Sequence, residues 1–170
     1  MATNFDLTQL GPADHPSVGE LAPGFQRPLV DDESWADIAL SELVADGPIA
    51  LVFFPMDGAF PATYMWTELR DRAWTDRSAT VVGVSVSSPY EHSTFIDRYE
   101  LPYRLFSDPG NDIAETYGVV HDLDGMAGVT EPRPAVFLID DNQTVQYAWA
   151  ATEWPSFPPY DEIEAAIDEL

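Results

Sequence analysis

The sequence contains no cysteine, which excludes disulfides, thiolate metal sites and any thiol nucleophile. Lysine is absent as well. All seven basic residues are arginine, Arg70 and Arg133 among them, set against thirty acidic residues for a formal net charge of −23. A chain this acidic repels phosphate backbones and anionic headgroups at long range, so neither nucleic acid nor a membrane surface is an expected partner. No run of about twenty apolar residues occurs, and nothing reads as a bilayer span. The opening MATNFDLTQLGPADHP has no basic stretch leading into an apolar core, so no secretory signal is read and a cytoplasmic location is expected.

What is present suits one packed domain. The 170 residues are 45% hydrophobic and 12% aromatic, enough to bury a core despite the charge. Residues 1–17 read as a polar lead-in and 18–170 as a single domain. Self-repulsion at −23 destabilises a compact state in dilute buffer, whereas molar salt shortens the Debye length to about 3 Å and relieves it. Carboxylates also hold surface water without the apolar stem of lysine. The composition therefore reads as that of an extreme halophile, the plainer alternative being an ordinary acidic protein.

Along the chain, Phe25 to Val30 and Ser34 to Leu40 predict a hairpin across the turn Asp31–Asp32–Glu33. Ile49 to Phe54 is a run of six apolar residues between turn signals, the mark of a buried central strand. Pro55 to Ala59 forms a loop, Pro61 stands where a first helical residue belongs, and the helix runs from Tyr64 to Asp76. Thr80 to Val86 predicts a second buried strand and Ser88–Pro89 the start of a helix through Tyr99. A short strand at Tyr103 to Phe106 and a brief helix over Asp112 to Tyr117 follow. After a loop from His121 to Pro132, Ala135 to Asp140 and Thr144 to Ala150 pair as antiparallel strands, and Asp161 to Leu170 is the last helix. The class is α/β: a central mixed β-sheet flanked by helices, with an N-terminal β-hairpin.

Chemistry is expected where the Ile49–Phe54 strand turns into the next helix, at the carboxyl end of a central strand. That segment reads Phe53–Phe54–Pro55–Met56–Asp57–Gly58–Ala59–Phe60–Pro61–Ala62–Thr63. In order along the chain stand VGELAPGF, GPIALVFFP, VVGVSVSSPYEHSTFIDRYELPYRLFSDPGNDIAETYGV and PRPAVFLIDDNQTVQYAW. This ordered set resembles the peroxiredoxins, the alkyl hydroperoxide reductase and thiol-specific antioxidant family, over nearly everything from Val18 to Leu170. The resemblance implies a thioredoxin-like fold and an ancestral thiol-dependent reduction of hydrogen peroxide or alkyl hydroperoxides. No cofactor and no metal are expected.

The family's active-site pattern is proline, three residues, threonine or serine, two residues, cysteine, with an arginine from a later strand. On this sequence the resemblance places the proline at Pro55, the hydroxyl position at Ala59, the cysteine position at Ala62 and the arginine at Arg133. A thiolate attacks the O–O bond while hydroxyl and guanidinium hold the peroxide oxygens. A methyl group at 62 does neither, and Thr63 has no base beside it in sequence. Met56 and Met65 could each be oxidised once only. No catalytic residue set is intact, and the chain reads as a pseudo-peroxiredoxin with a binding or regulatory role. The alternative is a cysteine-to-alanine variant of a working peroxidase.

Each surviving residue also has a plainer reading. Pro55 could simply end a strand, and Arg133 could pair with a surface carboxylate. The family placement suggests instead a small anion pocket between the Ala62 amides and Arg133, open to chloride or a carboxylate. Partners implied are a homodimer or an active paralogue. The cluster Tyr147, Trp149, Trp154, Phe157 and Tyr160 suits either cover of the protein's own core or a subunit contact. His15, His92 and His121 lack ligand spacing. Asp122, Asp124 and Gly125 share the start of a calcium loop without its terminal glutamate.

Overall fold

The computed structural model describes residues 8–121 and 125–170. Asp122 and Asp124, whose calcium-loop pattern was noted above, lie outside them. In chain order come β1 (Thr8–Gln9), β2 (Gln26–Val30), β3 (Trp35–Ala39), α1 (Leu40–Val44), β4 (Ile49–Phe53) and α2 (Phe60–Asp71). Next are β5 (Thr80–Ser85), α3 (Pro89–Arg98), β6 (Arg104–Ser107), α4 (Asp112–Thr116), β7 (Val120–His121) and β8 (Glu131–Pro132). The chain closes with β9 (Ala135–Ile139), β10 (Val145–Ala150), β11 (Glu153–Trp154) and α5 (Tyr160–Asp168).

Seven strands form one mixed sheet in the order β10-β9-β4-β5-β6-β2-β3. β4, β5 and β6 are parallel, while β9, β10, β2 and β3 join antiparallel. β4 lies between β5 and β9, and all five of its residues are buried. The period-two alternation of a strand divides them between two cores. Ala50 and Val52 join Phe54 on the face covered by α2, α3 and α5, while Ile49, Leu51 and Phe53 face α1 and α4. Val136 and Leu138 of β9 repeat the first assignment, Ala135, Phe137 and Ile139 the second. A strand covered on both faces must be apolar throughout, which is why the run at 49–54 is unbroken.

Helix starts follow local chemistry. Ser88 caps α3 through a reciprocal pair: the Glu91 N–H donates to Ser88 Oγ at 3.3 Å and the Ser88 N–H to Glu91 Oε1 at 3.0 Å. α2 has no side-chain cap; Pro61 in its first turn suits a position with no acceptor to miss. The predicted helix to Asp76 instead stops at Asp71, because Ala73 turns left-handed (φ 54°) and Trp74–Asp76 forms a separate 3-10 turn. Tertiary packing sets this break. Trp74 is fully buried, and its Nε1–H donates to Glu164 Oε1 at 2.9 Å. Two further departures occur near the amino end. VGELAPGF supplies only an isolated bridge, Leu21 to Thr144, and the hairpin's second strand turns helical at Leu40.

The lead-in is fastened across the same sheet end. β1 pairs with β11, and the Leu10 N–H donates to Thr152 O at 2.9 Å. Among the C-terminal aromatics, Tyr147, Trp149 and Tyr160 pack against the protein's own core, and the Tyr147 hydroxyl donates to Glu162 Oε2 at 2.7 Å. Phe157 stays 41% exposed.

Gly83 of β5 meets the α2 face with no room for a side chain. A Cβ there would stand 2.5 Å from Trp66 Cζ2, 2.6 Å from Leu105 Cδ2 and 3.0 Å from Phe54 Cε1, all rigid core groups. Gly83→Ala is expected to cost about 1–3 kcal/mol by overpacking, read as a lower midpoint in chemical denaturation; an unchanged midpoint would contradict this packing.

Candidate functional site

β4 ends at Phe53, and the next six residues carry the chain from the end of the strand into α2. Pro55 is buried, Ala59 is half-buried with extended backbone (φ −68°, ψ 134°), and Ala62 is fully buried in the first turn of α2. Ala62 sits in the same core cluster as Met65 and Trp66, so its methyl fills interior space. Three of the local amides are committed within the turn. The Ala59 N–H donates to Met56 O at 3.3 Å, Ala62 N–H to Ala59 O at 3.0 Å and Thr63 N–H to Ala59 O at 3.3 Å. The expected contribution of the Ala62 amide to an anion pocket is therefore corrected, since that donor is already spent.

Arg133 approaches from the neighbouring strand. Ala135 of β9 pairs with Phe53 of β4; two residues out along each, Arg133 and Pro55 stand at the same end of adjacent antiparallel strands. The β7–β8 ribbon holds this point, with the Arg133 N–H donating to Val119 O at 2.8 Å. The side chain is 5% exposed, so the surface-charge reading is set aside. Its Nη1 donates to Gly11 O at 2.9 Å and Ala151 O at 3.1 Å, so lead-in and β10–β11 link wrap one side of the guanidinium. Its Nε is buried without a partner, and no carboxylate pairs with it among the described residues. Burial lowers its pKa from the ordinary value, though a guanidinium keeps its proton. The edge bearing Nε and Nη2 is the one that binds carboxylates and similar anions through two parallel hydrogen bonds.

The structure also contains a polar pair that the sequence reading did not single out. Asp57, in the loop, and His92, on α3, meet with Nδ1 2.8 Å from Oδ2; both side chains are buried. His92 Nε2 lies 3.0 Å from Phe106 O, an acceptor only, so this nitrogen carries a proton. Asp57 is held by its backbone too, its N–H donating to Ser87 Oγ at 2.8 Å. Ser87 in turn donates its N–H to Ser85 Oγ at 3.3 Å and accepts from Ser107 Oγ at 2.6 Å through its carbonyl. With both nitrogens occupied, His92 is an anchor, not a free base. A signal existed in the sequence: His92, Phe95, Ile96 and Tyr99 share one helix face, and a buried imidazole requires partners.

The other histidines do not converge on this site. His15 packs edge-on against Phe137, and no cluster of three or more His, Cys, Asp or Glu able to hold a metal occurs among the described residues. No described helix is long and apolar enough to cross a membrane.

Burial raises the Asp57 pKa above the ordinary carboxylate value, against the smaller opposing pull of His92. A raised folded-state pKa gives stability that is complete at low pH and is lost as pH rises through it. Wild type is therefore expected to lose stability relative to Asp57→Asn as pH climbs from about 4 upward. Urea denaturation at several pH values checks this, and a difference that is flat or runs the other way would contradict it.

The AhpC/TSA family model matches residues 18–148. Over 132 residues the chain is 33% identical to a chloroplastic peroxiredoxin Q of Gentiana triflora, matching 76% of this chain and 57% of that protein's length. A chloroplastic 2-cysteine peroxiredoxin of Chattonella marina var. antiqua is 34% identical over 140 residues, 77% of this chain and 69% of that one. Among solved structures, reduced 2-Cys peroxiredoxin of Plasmodium vivax superposes with a TM-score of 0.76 at 26% identity, covering 90% of this chain and 81% of its own. The BcpB peroxidoxin of Mycobacterium tuberculosis shares the fold, with a TM-score of 0.74 at 24% identity over 92% and 99% of the two chains. Thioredoxin-like architecture, ordered motifs and these matches agree: the chain belongs to the AhpC/TSA family of peroxiredoxins.

Proposed function

We infer that this chain is a non-catalytic peroxiredoxin-fold protein whose site has become a binding site. The observation that carries this is the chemistry at one position: Ala62, fully buried, offers a methyl group where the family pattern has its cysteine. With no cysteine anywhere in the 170 residues, no neighbouring thiol can substitute. Ala59 likewise removes the hydroxyl. Peroxide reduction needs a nucleophile that leaves with one oxygen and is then regenerated, and neither alanine supplies one.

What is kept supports binding. Pro55 and the Asp57–His92 pair hold the loop, and Arg133 keeps a buried guanidinium edge without a carboxylate partner among the described residues. A small anion that accepts two hydrogen bonds, chloride less well than a carboxylate, suits that edge. A physiological role in pairing with a second copy or an active paralogue fits a protein that retains the fold without the reaction. The composition of seven arginines, no lysine and a net charge of −23 favours a salt-rich cytoplasm as its setting.

The second reading, a cysteine-to-alanine variant of a working peroxidase, is favoured by the intact scaffold. It predicts a cysteine codon at position 62 in the encoding gene. The replacement at Ala59 speaks against it, because disabling the enzyme requires position 62 alone.

The test is peroxide consumption in molar potassium chloride with a thiol reductant. The chain should show no turnover above buffer, and Ala59→Thr with Ala62→Cys should restore measurable peroxidase activity. Steady turnover by the unaltered chain would overturn the reading.

A further inference from the structure

A cavity of about 430 Å³ opens beyond the carboxyl ends of β4, β5 and β6, lined by residues that follow each strand, Met56, Ser87 and Asn111 among them. This is the edge where parallel sheets present ligand sites. Its rim is exposed at Gly110 and Val129, while its floor is made by two buried side chains, Ser87 and Asn111. Asn111 is only 4% exposed. Its Nδ2 donates to Thr130 Oγ1 at 3.0 Å, and its Oδ1 has no hydrogen-bond partner among the described residues. A buried amide oxygen left unpaired costs free energy that a donor entering the cavity would recover. Nothing in the peroxide site uses this group.

The lining fixes the kind of donor. Among the described residues no arginine or histidine lines the cavity, and its one carboxylate is that of Glu91. One Glu91 oxygen accepts the Ser88 N–H, and the other appears in no hydrogen bond among the described residues. The charge of −23 concentrates cations around the chain. Met56 and Val86 supply apolar wall in the same cavity. A single carboxylate is a poor cage for a divalent metal, which prefers several anionic oxygens. An alkylammonium group instead brings several N–H donors for separated oxygens and methylenes for the apolar wall.

We propose that this cavity binds a short aliphatic primary amine, one ammonium on Asn111 Oδ1 and the Glu91 carboxylate, the hydrocarbon against Met56 and Val86. The site is separate from the Arg133 edge and takes a ligand of opposite charge, so it stands or falls independently of the pseudoenzyme reading.

The experiment titrates the full chain with putrescine, with butane-1,4-diol and succinate as neutral and anionic probes of equal carbon count. It is followed by backbone NMR at the lowest potassium chloride that keeps the chain folded. Putrescine should give saturable shifts centred on Ser87, Gly110–Asn111 and Val129–Thr130, with at least tenfold tighter binding than either control. Asn111 has a left-handed backbone (φ 59°), so Asn111→Gly removes the amide without backbone strain and should weaken putrescine at least tenfold. Asn111→Asp adds charge at the same position and should tighten it. If Asn111→Gly does not fold, Asn111→Asp carries the test. Shifts spread over the acidic surface without saturation would overturn the proposal, as would affinity unchanged in the folded variants or equal binding of the diol.

Discussion

The buried contact between Asp57 and His92 is the constraint on which the loop at the end of β4 depends. A carboxyl group withdrawn from water is unfavourable unless something inside replaces the lost hydration. Here the imidazole does so for one oxygen, 2.8 Å from Oδ2 and itself tied to Phe106 O at 3.0 Å, while Oδ1 has no hydrogen-bond partner among the described residues. Together with the Asp57 N–H on Ser87 Oγ, this joins the loop to β5, α3 and β6. None of these bonds involves Ala59 or Ala62. The loop's shape therefore does not rest on either alanine side chain, although Asp57 stands only two residues before Ala59 and five before Ala62.

Electrostatics separates the two sides of the same sheet end. Arg27, Arg70, Arg72 and Arg77 all reach carboxylates, as expected where acids outnumber bases by thirty to seven. Among the described residues Arg133 does not, although it is the buried one. Two carbonyls take its Nη1, which satisfies donors without neutralising charge. A buried guanidinium without a carboxylate partner among the described residues costs stability, and an anion on its Nε would lower that cost. Around the corner, the cavity floored by Asn111 has the opposite character, rich in acceptors and lined by Glu91. One end of the sheet thus carries a buried guanidinium and, in a separate cavity, a buried amide oxygen and a carboxylate.

Much of this was legible in the residues. The unbroken run at Ile49–Phe54, the capping pair Ser88 and Glu91, and the paired runs at 135–150 each encode their element through burial, capping or alternation, and the ordered motifs led to the family. Other features were not local. Nothing between Arg72 and Trp74 breaks a helix by propensity; the break comes from Trp74 reaching Glu164, ninety residues later. VGELAPGF has strand-like residues, yet it meets the start of the edge strand β10 only through an isolated bridge, Leu21 to Thr144. The commitment of the Ala62 amide to Ala59 O depends on turn geometry that proline and alanine do not specify. Asp57 and His92 are 35 positions apart and meet only because β4, β5 and α3 are neighbours.

The central claim is a site that has exchanged a reactive sulfur for binding through an intact arginine. Anomalous diffraction from crystals of the chain equilibrated with bromide tests it most directly. The account predicts a bromide peak within hydrogen-bonding distance of Arg133 Nε or Nη2 that disappears in Arg133→Gln. Full bromide occupancy elsewhere with none at Arg133, or a guanidinium found neutralised by a protein carboxylate, would contradict it.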